Sequence, residues 1–424
     1  MRLLVAGVVC LVAGLLAALL APAASLAAVT PTLVVANSDP GTLTSYPLSA
    51  SGDASPASTV SADGSGSLEE PGEVALDAAG DLWVANFSTD SVVEYTKSQL
   101  AAGGAPTPTV TLSADRLNSL DAPNGVAFDA EGDLWVANSG GSTVVEYTKS
   151  QLAAGGDPAP AVTLSSDESH SIEAPYSLVF DATGNLWVSN YGANSVVEYS
   201  ASQLDATDDP TPAVTLGSDA SGSLDEPDSL AFDAGGGLWV TNYAANSVVG
   251  YSASQLIAGS GSPTPAVTLV SDGSHSLDAP GQAAFDTAGD LWVSNAGADS
   301  VVEFTKGQLT ATGGPTPADA ITGGATGLAF PDGLALEQAP TVSGVSPASG
   351  PSAGNSEVTI SGAGFYPGST VDFGTTPAAS VSYVSPYELT ADSPVGTGTV
   401  DVSVSTGEGT SASSAADRFS YTTT

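Results

Sequence analysis

The sequence has little cysteine, little histidine and few basic residues. Its 424 residues include one cysteine, two histidines and six lysines and arginines, against 46 aspartates and glutamates, which gives a formal net charge of −40. Because Cys10 lies in the apolar N-terminal segment, a disulfide framework and a thiolate metal site are excluded for the remainder of the chain. Nucleic acid is excluded as a partner, because phosphate binding requires clustered lysine and arginine.

The N-terminal segment combines one positive charge with an apolar run from Leu3 to Leu20 and then small residues. This pattern is typical of a secretory signal peptide, which we assign to residues 1–28. It predicts a secreted, extracellular protein with no stable membrane insertion after the signal is cleaved. An uncleaved anchor is the alternative, since Arg2 alone makes a short basic region.

The most prominent feature of the sequence is a repeat. Tryptophans recur 52, 52, 52 and 53 residues apart, at Trp83, Trp135, Trp187, Trp239 and Trp292. A sixth copy, residues 33–46, has Val34 in place of the tryptophan. The period is in the range of one four-stranded propeller blade.

Each repeat contains four short segments rich in valine, tryptophan and tyrosine, which predicts four strands. The first copy begins with a second strand, residues 33–37, and the last repeat-like piece, residues 333–337, is a first strand. The two pieces complete one blade shared between the ends of the repeat region, which closes the ring and leaves no exposed inner edge. We therefore predict an all-β six-bladed propeller over residues 29–338.

The recurring pattern P-x-G-VAFD-xx-G-DLWVAN followed by SVVEY resembles NHL-repeat and related six-bladed bacterial propellers over roughly residues 33–337. The resemblance implies the fold and leaves the function open, because relatives include interaction scaffolds, lactonases of the SMP-30 type and a streptogramin lyase. Beyond Gln338, SPASGP, VTISGAGF and TVDFG resemble an IPT/TIG immunoglobulin-like domain, although Asn355 and Ser356 replace a glycine-rich turn. This resemblance implies a small β-sandwich over residues 339–424, serving as a stalk or spacer.

Candidate binding residues lie where the repeats differ from one another. In a propeller with its first strand innermost, the loops between blades and the loops between second and third strands share one face, which we call the top face. Variable residues just after each inner-strand proline, or just after the asparagine that ends each second strand, crown the axial channel there. The predicted ligand-binding set is Glu73, Asn124, Tyr176, Tyr191, Asp228, Tyr243, Gln282 and Asp332. Drift among duplicated repeats, with ordinary packing at the rim, is the alternative.

Repeated polar residues are expected to be structural. The asparagines at the ends of the second strands, Asn37 to Asn295, are predicted to hold the loops above them. Five top-face loops carry an aspartate 20 residues before the tryptophan, at Asp63, Asp115, Asp167, Asp219 and Asp272, and all but the one at Asp115 have a D-x-S-x-S pattern. These are predicted to form Asx turns, with weak Ca²⁺ binding as the alternative. We predict no other cofactor and no dedicated metal site.

Taken together, these patterns predict a secreted, monomeric, non-catalytic scaffold that binds an extracellular protein or glycan on its top face. One alternative is a metal-dependent lactonase or lyase that uses Glu73, Asp228 and Asp332 with Asn124, as the SMP-30 resemblance implies. Another is a carbohydrate-binding or adhesion module built on the tyrosine-bearing sector. His170 and His275 stand two blades apart, so joint use of them at one reaction centre is not expected.

Overall fold

A computed structural model describes residues 30–423 of the protein, and this part of the chain is all-β. The signal peptide predicted at residues 1–28 lies outside the described residues and remains a prediction. Within the described range, no helix is both long enough and apolar enough to cross a membrane.

Residues 32–337 form six four-stranded antiparallel sheets, which are the predicted blades. The strands of the first two blades in chain order are β1 Thr32–Asn37, β2 Thr42–Pro47, β3 Ser58–Ser61, β4 Pro71–Leu76, β5 Leu82–Asn86, β6 Ser91–Tyr95 and β7 Val110–Ser113. Those of the next two are β8 Pro123–Phe128, β9 Leu134–Asn138, β10 Thr143–Tyr147, β11 Val162–Ser165, β12 Pro175–Phe180, β13 Leu186–Asn190, β14 Ser195–Tyr199 and β15 Val214–Gly217. The last are β16 Pro227–Phe232, β17 Leu238–Asn242, β18 Ser247–Tyr251, β19 Val267–Val270, β20 Pro280–Phe285, β21 Leu291–Asn295, β22 Ser300–Phe304, β23 Asp319–Thr322 and β24 Pro331–Glu337.

The ring closes as predicted, through one blade built from both ends of the repeat region. That sheet has the order β24-β1-β2-β3, and Thr32 pairs with Glu337 in antiparallel register. The innermost strands of neighbouring blades contact one another all the way round, β24 against β4 included. The inner edge of every sheet therefore faces the axis, and no inner strand is left unpaired within the described residues.

The tryptophans hold adjacent blades together. Trp83 is almost fully buried and meets Phe128 of the next blade edge-on, with ring centroids 6.0 Å apart. Its indole nitrogen donates to Asp77 at the end of its own inner strand, and the Asp77 carboxylate also accepts from the backbone of the hairpin. The same contacts recur at Trp135, Trp187 and Trp239, so at these blade junctions the apolar core and the satisfied turn are built from the same residue types.

The link between third and fourth strands contains a helical turn that the sequence analysis did not predict. The helices are α1 Lys97–Ala102, α2 Lys149–Ala154 and α3 Ala253–Ile257, and 3₁₀ turns take their place at Ala201–Gln203 and Gln308–Thr310. Two further 3₁₀ turns, Phe87–Thr89 and Ala296–Ala298, lie between second and third strands. In α1 a capping box joins Thr96 and Gln99. Gln99 also donates to the carbonyl of Thr107, which ties the proline-bearing segment to the helix. The repeated TKSQL or SASQL sequence was the available signal.

The C-terminal region is a sandwich of two sheets. One sheet has the order β25-β27-β31-β30, and the other has the order β26-β34-β32-β28-β29, with β33 added against β32. The strands are β25 Thr341–Ser346, β26 Ser349–Pro351, β27 Glu357–Ala363, β28 Thr370–Phe373, β29 Thr376–Pro377, β30 Ser380–Ser385, β31 Glu388–Asp392, β32 Gly398–Thr406, β33 Gly409–Thr410 and β34 Arg418–Thr422. Alternate residues of these strands, such as Val358, Ile360 and Phe419, fill the core between the sheets.

The sandwich packs against the propeller, on the face opposite the top face, instead of standing beside it as a spacer. Cavities between the two units are lined by the lower ends of the inner strands and by Phe365, Tyr366, Tyr383 and Tyr387 of the sandwich. Polar contacts join the units: Lys97 pairs with Glu408, the Gly407 amide donates to the carbonyl of Ala78, and Tyr387 donates to the carbonyl of Phe232. We call the propeller face against which the sandwich packs the bottom face.

Candidate functional site

A cavity of about 280 Å³ opens on the top face, over the propeller axis. Its lining brings together six of the eight residues predicted from the sequence: Asn124, Tyr176, Tyr191, Asp228, Tyr243 and Asp332. We call this cavity the top-face pocket. The predicted ligand-binding set thus forms, for the most part, one site.

Local backbone geometry places these side chains at the pocket. Asn124, Tyr176 and Asp228 each follow the proline that begins an inner strand, and each strand has an irregular register just beyond that point. Such bulges re-aim side chains away from the regular pleat. In blades 4 and 5 the bulge is fixed by side-chain acceptors: the amide of Ser177 donates to Ser189, and that of Ser229 donates to Thr241.

Acidic groups gather at the axis. Glu73 and Asp228 are each only 2% exposed, and Asp332 is partly buried beside them. Burial raises the pKa of Glu73 to about 8, although the hydroxyls of Ser229 and Ser177 oppose the shift and Asp332 adds to it. Burial also raises the pKa of Asp332 to about 6 and that of Asp228 well above its usual value, and repulsion from Asp332 and Glu73 raises that of Asp228 further.

Three buried acceptor atoms at the axis have no hydrogen-bond partner among the described residues. They are Oε1 of Glu73, Oδ1 of Asn124 and Oδ1 of Asp228. Buried polar groups are normally satisfied, and leaving one without a partner costs about 1–3 kcal/mol. Asn124 and Asp228 line the pocket, and Glu73 faces Asp228.

A cluster of tyrosines forms one wall of the pocket. The rings of Tyr176 and Tyr191 stack with centroids 4.3 Å apart and planes 20° from parallel, and Tyr243 lies 6.1 Å from Tyr191. The Tyr191 hydroxyl donates to Glu226 at 2.7 Å, which fixes the orientation of its ring. Burial is the first cause of a raised pKa at Tyr176 and Tyr191, so both phenols stay neutral over the physiological range.

Two of the predicted residues do not line the pocket. Glu73 lies one position further along its inner strand than the lining residues and faces the other axial acids. Gln282 lies outside the cavity lining, and its amide exchanges hydrogen bonds with the backbone of Val74 and accepts from the amide of Leu334. Those bonds tie neighbouring inner strands together and occupy the polar atoms of its side chain.

Five lining residues were not in the predicted set. They are Ser38, Asp39, Glu70, Phe87 and Phe330. Glu70 and Phe330 each precede an inner-strand proline and have positive φ, as do their counterparts in all six blades. Alanine is found at this position in three of the six copies, so the variation there was the signal that would have identified Glu70 and Phe330.

The repeated polar residues of the top face have the structural contacts predicted for them. Asn190 is fully buried, accepts from the amide of Glu173 and donates to the carbonyl of Ser171, and Asn86, Asn138, Asn242 and Asn295 do the same in their blades. Asn37 accepts from the amide of Ala329 and donates within its own hairpin. In the D-x-S-x-S loops, Asp167 accepts from the amide and the hydroxyl of Ser169 and from the amide of Ser171. Hydrogen bonding lowers the pKa of Asp167 to about 2, and it does the same at Asp63, Asp219 and Asp272. These are Asx turns.

Carboxylates close enough to share an ion occur on the bottom face. Among the described residues, three groups have acidic oxygens within 4.8 Å of one another: Asp77, Asp81 and Glu94; Asp129, Asp133 and Glu146; and Asp286, Asp290 and Glu303. Burial, and then repulsion from the two aspartates, raises the pKa of Glu94 to about 7. In the repeat that contains Trp187, Asn185 replaces the second aspartate and donates to Asp181 and Glu198. None of these groups includes an axial residue.

The two histidines lie away from the axis. His170 and His275 have positive φ in exposed interblade loops, and His275 contacts Asp278 at 3.3 Å within its own loop. Neither lines the top-face pocket. The site therefore offers carboxyl, amide, phenol and hydroxyl groups.

Residues 340–421 match the IPT/TIG domain family. Among solved structures, the chain is similar to a streptogramin B lyase, with 15% identity over 73% of this chain and 88% of that one and a TM-score of 0.42. It is also similar to a protein of unknown function from Bacteroides caccae, with 14% identity over 72% of this chain and 98% of that one and a TM-score of 0.49. A chain of a nidogen/laminin complex is similar as well, with 14% identity over 72% of this chain and 98% of that one and a TM-score of 0.48. No curated protein matches the sequence. The C-terminal unit is an IPT/TIG domain, and the propeller assignment rests on its own strand pairing.

Proposed function

We propose that this is a secreted, non-catalytic binding protein, which holds an extracellular protein or glycan ligand in the top-face pocket of its propeller. The observation that carries the proposal is the convergence, over the axis, of stacked tyrosines with buried acceptors that have no partner. Concave sites with aromatic walls and a few convergent polar groups are typical of ligand binding.

Exposed aromatic surface at the rim also supports a binding role. Phe330 is 44% exposed although it is a large apolar residue, and it lies at the pocket together with Phe87. Solvent-exposed aromatic side chains around a polar cavity favour contact with another molecule, because burying them on association is favourable. The IPT/TIG domain packs on the bottom face and so leaves this rim free.

The lactonase or lyase alternative is less well supported. A metal-dependent site would require the axial carboxylates to converge on one ion, but the acidic groups that lie within 4.8 Å of one another are on the bottom face. The raised pKa values of Glu73 and Asp332 describe acids that bind protons readily near neutral pH. With both histidines in exposed loops, a binding role requires fewer assumptions.

Binding is tested with the full-length chain, probed against arrays of extracellular glycans and extracellular proteins. A ligand held at the top face should be lost in Tyr191→Ala and retained in Tyr421→Ala, which removes a tyrosine from the IPT/TIG domain. Binding that survives Tyr191→Ala and Asp228→Asn together would contradict the proposed site.

Turnover is tested separately with a panel of lactones and cyclic esters. We expect none from the wild-type protein. Activity that disappears in the combined Glu73→Gln, Asp228→Asn and Asp332→Asn variant, while the fold is retained, would establish the enzyme alternative. Sequencing the N-terminus of the exported protein, with an expected start near Ala28, tests secretion.

A further inference from the structure

We infer that the group recognised in the top-face pocket is the ammonium of a lysine side chain on a basic protein partner. The inference rests on the proposed binding function and specifies its ligand. It follows from the charge around the pocket, the hydrogen-bonding character of the atoms without partners, and the arrangement of the aromatic rings.

The pocket is rich in carboxyl groups and is lined by no basic residue of the described chain. Glu73, Asp228 and Asp332 face one another at the axis, while Asp39 and Glu70 stand at the rim. Of the five lysines and arginines between residues 30 and 423, none lines the pocket. Buried carboxylates are normally paired with a cation, so the partner must supply the positive charge.

The atoms without partners at the axis are all acceptors. Asn124 is 4% exposed and, like Glu73 and Asp228, has an oxygen with no donor among the described residues. An ammonium group offers three donors and no acceptor, which suits a pocket whose atoms without partners are acceptors on the lining residues Asn124 and Asp228. A neutral sugar hydroxyl brings one donor together with acceptor lone pairs, which face repulsion from the carboxylates.

Aromatic rings line both sides of the entrance. Tyr176, Tyr191 and Tyr243 form one wall, and Phe87 and Phe330 come from the blades across the axis. Ring faces attract cations and also pack against methylene groups. A lysine side chain has both parts in the required order, with an alkyl stem at the aromatic rim and a charged head at the acids.

An organic cation fits this geometry better than a metal ion. Calcium and magnesium need oxygens converging at bonding distance, and no axial group is among the described acid clusters whose oxygens lie within 4.8 Å. The net charge of −40 also favours association with a basic protein, because it attracts such a partner at long range.

Binding of an ammonium should release protons. Asp228 and its neighbours must ionise to pair with it, so affinity should rise with pH until the axial acids are ionised without a ligand. The titratable groups that face Asp228 are Glu73, Glu226, Asp332, Tyr176, Tyr191 and Tyr243. The tyrosines stay neutral in this range, so the pH dependence reports the carboxyls.

The test is calorimetric titration of the full-length chain with Nα-acetyl-lysine methylamide and with its Nε-acetylated form, which has the same stem and no charge. We expect binding only by the charged probe, with affinity rising between about pH 5.5 and about pH 8. Choline and glucosamine are titrated in parallel, as a free small cation and an amino sugar. Tighter binding by either one than by the lysine probe would overturn the assignment to a lysine.

Variants locate the site. Asp228→Asn and Tyr191→Leu should each weaken the lysine probe by about tenfold or more, whereas Glu168→Gln, which removes an exposed charge from a top-face loop, should change affinity by less than about twofold. Equal losses in Asp228→Asn and Glu168→Gln would reduce the effect to general charge attraction and overturn the inference. A neutral glycan or peptide bound through Tyr191, without ammonium binding, would refute the lysine inference and leave the proposed function standing. If no ligand binds at the top face, both fail.

Discussion

The hydroxyl of Tyr387, in the IPT/TIG domain, donates a 3.0 Å hydrogen bond to the backbone carbonyl of Phe232, the last residue of an inner propeller strand. The two residues are 155 positions apart in sequence. This bond satisfies a carbonyl at the lower end of β16 with a side chain from a different fold. The sandwich is therefore part of the packing of the bottom face.

Replacing Tyr387 by phenylalanine should lower the free energy of unfolding by about 1 kcal/mol, because the carbonyl loses its donor while the ring still packs. Chemical denaturation of the full-length chain measures this loss. Tyr421→Phe is the matched control, since Tyr421 packs against Phe419 within the sandwich. Equal losses in the two variants would show that the hydrogen bond to Phe232 does not stabilise the interface.

Ring closure predicts different outcomes for two truncations. A chain ending at residue 340 keeps β24 and should unfold cooperatively, at a lower midpoint than the full chain because the IPT/TIG contacts are gone. A chain ending at residue 330 loses β24, so β1 becomes an exposed edge, and we expect broad unfolding or aggregation. Coincident denaturation curves for the two would contradict closure by the shared blade.

The axial acids predict a loss of stability as pH rises. Burial raises the folded pKa of Glu73 from its ordinary value of 4.5 to about 8, so above pH 4.5 the unfolded state gives up its proton first. Each such group lowers the free energy of unfolding by up to ~1.4 kcal/mol per pH unit until the folded pKa is reached. Glu73→Gln should flatten the decline between about pH 5 and about pH 8.

Denaturation midpoints at several pH values measure this effect, with the exposed Glu168→Gln as control. Each substitution removes one carboxyl group, and only the one at Glu73 is buried, so Glu168→Gln controls for the loss of an acidic residue as such. A decline that is as steep in Glu73→Gln as in the wild type would mean that the Glu73 carboxyl is already ionised in the folded protein.

Cations test the D-x-S-x-S loops. Salt should raise the melting temperature by screening a net charge of −40. Because Asp167 already accepts three hydrogen bonds, we expect calcium and magnesium chloride at equal ionic strength to give coincident melts. A calcium-specific rise removed by Asp167→Asn with Asp219→Asn would favour the Ca²⁺ alternative. A rise removed by Glu94→Gln instead would place an ion at the bottom-face acids.

Most of the architecture could be predicted from the sequence, because the same pattern of strand and turn residues recurs in six copies. The tryptophan period gave the blades, and the unmatched strands at 33–37 and 333–337 gave the closure. The top-face site was predicted in large part, since departures from the repeat at Tyr176 and Asp228 mark positions that a structural role does not explain.

What could not be predicted depends on contacts between distant parts of the chain. Gln282 varies like a binding residue, but its amide meets Val74, 208 positions away, and no local pattern reports that pairing. The docking of the IPT/TIG domain through Tyr387 is of the same kind. Phe330 was not predicted, because it precedes the inner-strand proline, whereas the predicted residues follow one.

The shared blade also sets the direction in which the protein presents its pocket. Because Thr32 pairs with Glu337, β1 starts on the bottom face, next to the point where the chain passes into the IPT/TIG domain. The start of β1 and the end of β24 thus both lie on the bottom face of the propeller. Any tether acting through either end would hold the aromatic rim outward, so a bulky partner could approach it without meeting the support.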